Sequence, residues 1–208
     1  MFKKSLLALS LISLSGVALS APVANLKVTG SITPPTCMVN GGEEADVLYQ
    51  FDITPGIFPA SGNLVLDAKT QPIEVICDAT TYLTFDASDS REGTALTAGN
   101  TNFGLGVYGT EEQKVGFFTI TMQNATVKAD TESAAKSVGV LNGTAYAATG
   151  VVDKTKKMGW GTAVSTPTAG QVFAADFAVK PTINSEMKNS EGDATLDGHA
   201  VLAFTFGL

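Results

Sequence analysis

The residues that could carry chemistry in this chain are few. Among its 208 residues there is one histidine, His199, and there are two cysteines, Cys37 and Cys77. His199 is the single imidazole base available to a serine or cysteine nucleophile, and it stands directly before a run that predicts a core strand. Asp193 and Asp197 could pair for glycoside hydrolysis, but they flank a glycine turn, which favours a role in that turn. The sequence therefore predicts that the protein is not an enzyme.

A metal site is not indicated either. Asp86, Asp89 and Glu92 lie close together in the sequence, beside Arg91. Their spacing does not match the ligand positions of an EF-hand calcium loop. We expect a solvated acidic loop in which Arg91 pairs with a carboxylate, and we predict no cofactor and no metal.

The two cysteines predict one covalent bond. Their spacing is far longer than the C-x-x-C pattern of a metal knuckle. In an oxidising compartment, an isolated pair is typical of a disulfide, and we expect Cys37 and Cys77 to join two strands. Two buried thiols are the alternative.

The beginning of the chain predicts export. Two lysines precede a short apolar run at residues 6–14, and Ala18-Leu19-Ser20 supplies small residues for cleavage. We predict that residues 1–20 are a signal peptide and that residues 21–208 form a single domain. The apolar run is shorter than the ~20 residues that span a bilayer, and no later segment is more apolar, so no membrane span is predicted.

The composition narrows the class of protein further. The chain has 13 Lys and Arg against 20 Asp and Glu, a formal charge of −7, and no cluster of Lys and Arg forms a basic stripe. Such a chain is poorly suited to nucleic acid, so no nucleic-acid partner is expected. Hydrophobic residues make up 44% of the chain and charged residues 16%, which excludes a disordered protein.

Alternating apolar residues between turn signals predict an all-β fold. Leu26, Val28 and Ile32 indicate a first half-buried strand, and residues 130–138 form the one plausible helix. Short strands at this spacing are typical of a β-sandwich. Further strands are predicted at residues 47–51, 73–77, 103–108, 116–122 and 172–179.

The last predicted strand is apolar on one face. Its apolar residues, all of one parity, are Ala200, Leu202, Phe204, Phe206 and Leu208. A strand of this kind at a sheet edge needs a further partner. From periodicity alone, a simple core strand is the other interpretation.

Several motifs in a fixed order give the chain a resemblance to a known family. They begin with Leu26-Lys-Val-Thr-Gly-Ser-Ile-Thr-Pro-Pro-Thr-Cys37 and continue with Asp89-Ser-Arg-Glu-Gly-Thr94. They end with Leu196-Asp-Gly-His-Ala-Val-Leu-Ala-Phe-Thr-Phe206. Together with the cysteine spacing, they resemble bacterial chaperone–usher fimbrial subunits (pilins), closest to a branch of poorly characterised fimbrial-type proteins.

The resemblance implies an incomplete immunoglobulin-like β-sandwich with one disulfide, which lacks its last strand. It implies export through the periplasm to the cell surface, with a periplasmic pilus chaperone, an outer-membrane usher and other fimbrial subunits as partners. The function implied is that of a structural subunit of a fimbrium, assembled by donor-strand complementation and supporting adhesion or biofilm formation.

Site residues follow from the same resemblance. The terminal apolar set, residues 200–208, maps onto the strand at the edge of the groove. Leu26, Val28 and Gly30 map onto the donor segment that fills the groove of a neighbour. If the chain's own first strand uses the residues next to Cys37, only residues 21–25 remain free, so the donor is either short or extends to Gly30 with that strand rearranged.

A minor or tip subunit that contacts a surface or glycan ligand is the alternative function. Trp160, which stands between two glycines, is the candidate for that contact. A Trp folded onto the sandwich is the other interpretation of this residue. The sequence assigns no role to residues 155–168.

Overall fold

The structure is a computed structural model that describes residues 22–190 and 193–207. The predicted signal peptide and Leu208 lie outside the described residues. The chain divides into two units, Met1–Thr33 and Pro34–Leu208.

Residues 22–33 contain neither helix nor strand. The side chains of Leu26, Val28 and Ile32 are exposed to 92%, 99% and 104%. The strand predicted from these three residues is therefore wrong: their alternation is present, but a strand also needs a hydrogen-bonding partner.

The second unit is an antiparallel β-structure with two short 3₁₀ helices, Pro55–Ile57 and Ser185–Asn189. Its strands are β1 (Cys37–Val39), β2 (Leu64–Val65), β3 (Lys69–Asp89), β4 (Phe103–Gly104), β5 (Val107–Tyr108), β6 (Gln113–Lys114), β7 (Gly116–Lys128), β8 (Lys136–Ser137), β9 (Gly139–Asn142), β10 (Ala145–Ala147), β11 (Gly150–Val151), β12 (Met158–Ala163), β13 (Thr166–Pro167), β14 (Ala169–Ile183) and β15 (Ala200–Phe206).

Strand β3 connects the two halves of the sheet. Its first part pairs with β14, from Lys69 opposite Val179 to Tyr82 opposite Ala169. Its second part pairs with β15 and, over two residues, with β12. Strand β14 continues the sheet on its other side by pairing with β7. The sheet is thus curled around one core, consistent with a β-sandwich.

An aromatic cluster fills one part of the core. The Trp160 ring lies 6.3 Å from Phe85 and 5.5 Å from Phe173, and its Nε1 donates a hydrogen bond to the Ala174 carbonyl at 2.9 Å. The glycine before Trp160 allows β12 to approach β3, since a Cβ at Gly159 would lie 2.8 Å from the Leu83 carbonyl. The Gly-Trp-Gly sequence thus belongs to a closely packed strand.

The disulfide between Cys37 and Cys77 is confirmed. The two cysteines face each other where β1 pairs with β3. The predicted all-β fold with one disulfide is confirmed with it.

The helix predicted at residues 130–138 is wrong. The Asp130 carboxylate accepts hydrogen bonds from the backbone N–H of Glu132 at 3.0 Å and of Ser133 at 2.7 Å, which stabilises a turn. Strand β8 follows directly and pairs with β7. Asp130 is therefore a turn residue, and the alanines after it lie in an irregular connection.

Of the other predicted strands, 73–77, 116–122 and 172–179 fall within β3, β7 and β14. Residues 103–108 are divided between the short strands β4 and β5. Residues 47–51 do not form a strand, because no backbone hydrogen bond joins them to a neighbouring strand. Within the described ranges, no helix is long and apolar enough to cross a membrane.

Candidate functional site

A large apolar groove opens into the core between two stretches of chain that are distant in sequence. One is strand β15, and the other is residues 43–53, here called the wall segment. The groove has a volume of about 1330 Å³. Its floor is formed by side chains from β3, β7 and β14, among them Ile73, Val75, Phe118, Ile120, Phe177 and Val179. A cavity of this size is larger than the usual range of ligand pockets, about 300–1,000 Å³, and core residues form its floor.

The wall segment has the side-chain pattern of a strand without the hydrogen bonds of one. Ala45, Val47, Tyr49, Phe51 and Ile53 are half-buried, and the residues between them are exposed. Among the described residues, no backbone hydrogen bond joins residues 43–53 to a neighbouring strand. The backbone polar groups along this wall are therefore available to a partner.

Side chains hold the wall segment in place. The Tyr49 hydroxyl donates a hydrogen bond to the Phe177 carbonyl at 2.8 Å, and burial raises the pKa of Tyr49 to about 12. Lys69 donates to the Gln50 carbonyl, and its Nζ lies 5.0 Å above the Phe51 ring. These contacts fix the position of the segment, and apart from the Gln50 carbonyl they leave its backbone groups without a hydrogen bond to a neighbouring strand.

Strand β15 forms the opposite wall. Its seven residues pair with β3 on one side, and no described strand pairs with its other side. Ala200, Leu202 and Phe204 are half-buried and face the groove, and the Phe204 ring packs 5.6 Å from Phe85. Phe206 also lines the groove and is 43% exposed. The structure thus brings together all the described members of the predicted terminal set.

The start of β15 is held by the motif around Arg91. The Arg91 guanidinium donates two hydrogen bonds to the Asp197 carboxylate, each 2.8 Å long. This pairing lowers the pKa of Asp197. The backbone N–H of Ser90 donates to the His199 carbonyl at 2.9 Å. The predicted pairing of Arg91 with a carboxylate is confirmed, and it fixes the strand at its first residues.

A second contact holds the end of β15. Lys157 donates to the Asp86 carboxylate at 2.6 Å and to the Thr205 hydroxyl at 3.1 Å. Lys157 belongs to residues 155–168, the region to which the sequence assigned no role. This region therefore stabilises the end of β15 through Lys157 and contributes Trp160 to the core.

Of the two interpretations of Trp160, the structure supports a Trp folded onto the sandwich and contradicts a surface contact. Its side chain is 1% exposed and is enclosed by Phe85, Phe173 and Phe204. A ligand at the surface cannot reach this ring, because the indole already packs against other aromatic rings and donates its N–H within the fold.

The predicted donor residues lie in residues 22–33. Leu26 and Val28 are almost fully exposed, and the space around Gly30 is open, with no atom within 4 Å of an added Cβ. Because no strand occupies residues 22–33, a donor segment is not restricted to residues 21–25.

Sequence reasoning missed the wall segment as part of the site, although the alternation from Ala45 to Ile53 was present in the sequence. In the parts of the chain that the structure describes, no group of three or more His, Cys, Asp or Glu side chains could hold a metal ion. Comparisons of the chain with family models, with curated proteins and with solved structures found no match.

Proposed function

We propose that the protein is a structural subunit of a chaperone–usher fimbrium, an incomplete immunoglobulin-like sandwich completed by a strand from a neighbouring subunit. The observation that carries this proposal is the apolar groove between the wall segment, which pairs with no described strand, and the side of β15 that does not pair with β3. An extended strand inserted there would hydrogen-bond to both edges and place its apolar side chains in the groove above the core.

The energetics favour such a strand. Each apolar side chain that it buries contributes about 1.5–3 kcal/mol. The groove-facing positions of the wall segment and β15 provide room for several such side chains along one strand. Unfilled, the same groove is an edge that promotes aggregation.

Residues 24–32 have the pattern that the groove requires. Their even-numbered positions are Ala24, Leu26, Val28, Gly30 and Ile32. Nine extended residues span ~30 Å, and the seven residues of β15 span ~23 Å. The donor segment is thus long enough to cover the groove edge.

The partners and location of the protein follow from this mechanism. A groove that promotes aggregation requires protection during export, which a periplasmic chaperone would supply by lending a strand. Delivery through an outer-membrane usher would then place the subunit in a fibre at the cell surface, where it supports adhesion or biofilm formation.

A pair of matched double variants of the full chain tests the proposal. Leu26→Lys with Val28→Lys places charges on the face that enters the groove, and we expect it to abolish assembly into multimers that resist dissociation in detergent. Thr29→Lys with Ser31→Lys adds the same charge on the opposite face and should still assemble. Equal assembly of the two variants would refute strand insertion.

A further inference from the structure

The carboxylates along the groove all lie on one of its walls. Those that line it are Glu43, Glu44, Asp46 and Asp52, all exposed and all in the wall segment. Within residues 22–190 and 193–207, none of the four takes part in a salt bridge, and no lysine or arginine lines the groove. Lys69 contacts this wall, but at the Gln50 carbonyl and the Phe51 ring. The wall therefore has an unbalanced negative charge.

The opposite wall does not balance that charge. The outward positions of β15 are Val201, Ala203 and Thr205, which are uncharged. The lysine beside Thr205, Lys157, is already paired with Asp86. A strand lying between the two walls would have carboxylates on one side of its outward face and neutral side chains on the other.

Residues 22–33 include a single charged residue, Lys27. Adjacent residues of a strand point to opposite faces, so Lys27 faces outward when Leu26 and Val28 enter the groove. Side chains on neighbouring strands lie about 5 Å apart when directly opposite and about 7–8 Å apart on the diagonal. With residues 24–32 centred on residues 45–53, Lys27 is diagonal to Asp46 if the two segments run parallel and diagonal to Asp52 if they run antiparallel. One carboxylate is therefore within its reach in either direction.

We propose that the acidic wall selects an inserting strand with a positive outward face, and that its occupant is residues 22–33 of a second copy of this chain. Lys27 then lies beside Asp46 if the inserted strand runs parallel to the wall segment and beside Asp52 if it runs antiparallel. This inference rests on the proposed function and adds a charge requirement to it. Assembly then depends on ionic strength, because exposed charge pairs are screened by salt.

The test uses fluorescently labelled synthetic peptides of residues 22–33 and the full chain. We expect the Lys27→Glu peptide to bind about 5- to 30-fold more weakly than the native peptide at low salt, because attraction is replaced by repulsion. The difference should largely disappear at high salt. Native-peptide binding unaffected by salt, or equal affinity of the two peptides at low salt, would overturn the charge requirement.

A charge exchange provides the control. The Asp46→Lys, Asp52→Lys chain should restore binding of the Lys27→Glu peptide. The Glu111→Lys, Glu132→Lys chain has the same change in net charge at exposed residues that do not line the groove, and it should not restore binding. Restoration by both chains would mean that overall charge, and not the acidic wall, decides the affinity.

Two further outcomes separate this inference from the proposed function. If both peptides bind equally and Leu26→Lys with Val28→Lys still prevents assembly, strand insertion stands and the charge selection is refuted. A different result is that the native chain stays monomeric and binds the native peptide only after its own segment is kept out of the groove by Leu26→Lys with Val28→Lys. That result would mean that the occupant comes from the same copy, and the second-copy assignment would be wrong.

Discussion

Removing the disulfide is the perturbation for which the structure gives the clearest magnitude. The bridge closes a loop with a sequence separation of 40. On the chain-entropy model, a loop of that size stabilises the fold by about 4 kcal/mol. For a domain of this size, each kcal/mol corresponds to about 2–4 °C in Tm. The variant Cys37→Ala with Cys77→Ala should therefore unfold about 8–16 °C below the native protein.

The assay is thermal unfolding followed by the fluorescence of Trp160, the single tryptophan of the chain. Its ring is enclosed by core aromatics, so its emission reports loss of the core. A reductant should lower the Tm of the native protein to that of the variant and leave the variant unchanged. A Tm decrease of less than about 3 °C would refute the loop-closure reasoning. If the reductant also lowered the Tm of the variant, an effect other than reduction of the disulfide would contribute to the Tm change.

Two other substitutions test the core and the wall. Trp160→Phe leaves the Ala174 carbonyl without its indole donor, which costs about 1–3 kcal/mol, so the Tm measured by circular dichroism should fall. An unchanged Tm would contradict a buried structural role. Burial raises the pKa of Tyr49 from 10.0 to about 12, so the folded state holds the phenolic proton more tightly, and stability should fall as the pH rises through that interval. In urea unfolding, Tyr49→Phe should lose less stability over the same interval, and parallel losses would disprove the assignment.

The alternation of apolar residues correctly predicted the strands that pair with neighbouring strands in the sheet. The alternation at residues 73–77 and 172–179 lies in the long paired strands β3 and β14. The cysteine pair was predictable because two isolated cysteines in a chain that is predicted to be exported have few other roles. For these strands and for the disulfide, the residue types and their spacing were sufficient for the prediction.

Elements whose partners are missing or distant were not predictable in this way. Residues 26–32 and residues 45–53 both alternate, yet neither segment is in a hydrogen-bonded strand. Alternation shows that a face is apolar, but not whether a neighbouring edge lies beside it. For Trp160 the sequence left two interpretations open, a ligand contact and a packed side chain. The fold selects the second, because the flanking glycines allow close contact between strands.

The disulfide also determines where a pulling force would act. If neighbouring copies are linked through residues 22–33 as proposed, tension enters the compact unit just before Cys37 and passes through the sulfur–sulfur bond to Cys77 in β3. Residues 38–76, which include the wall segment, lie off this path. Without the bridge, that loop could extend by up to ~130 Å under load. With it, a pull on residues 22–33 bypasses this loop, so the wall segment bears only the load that the strand inserted in its own groove transmits.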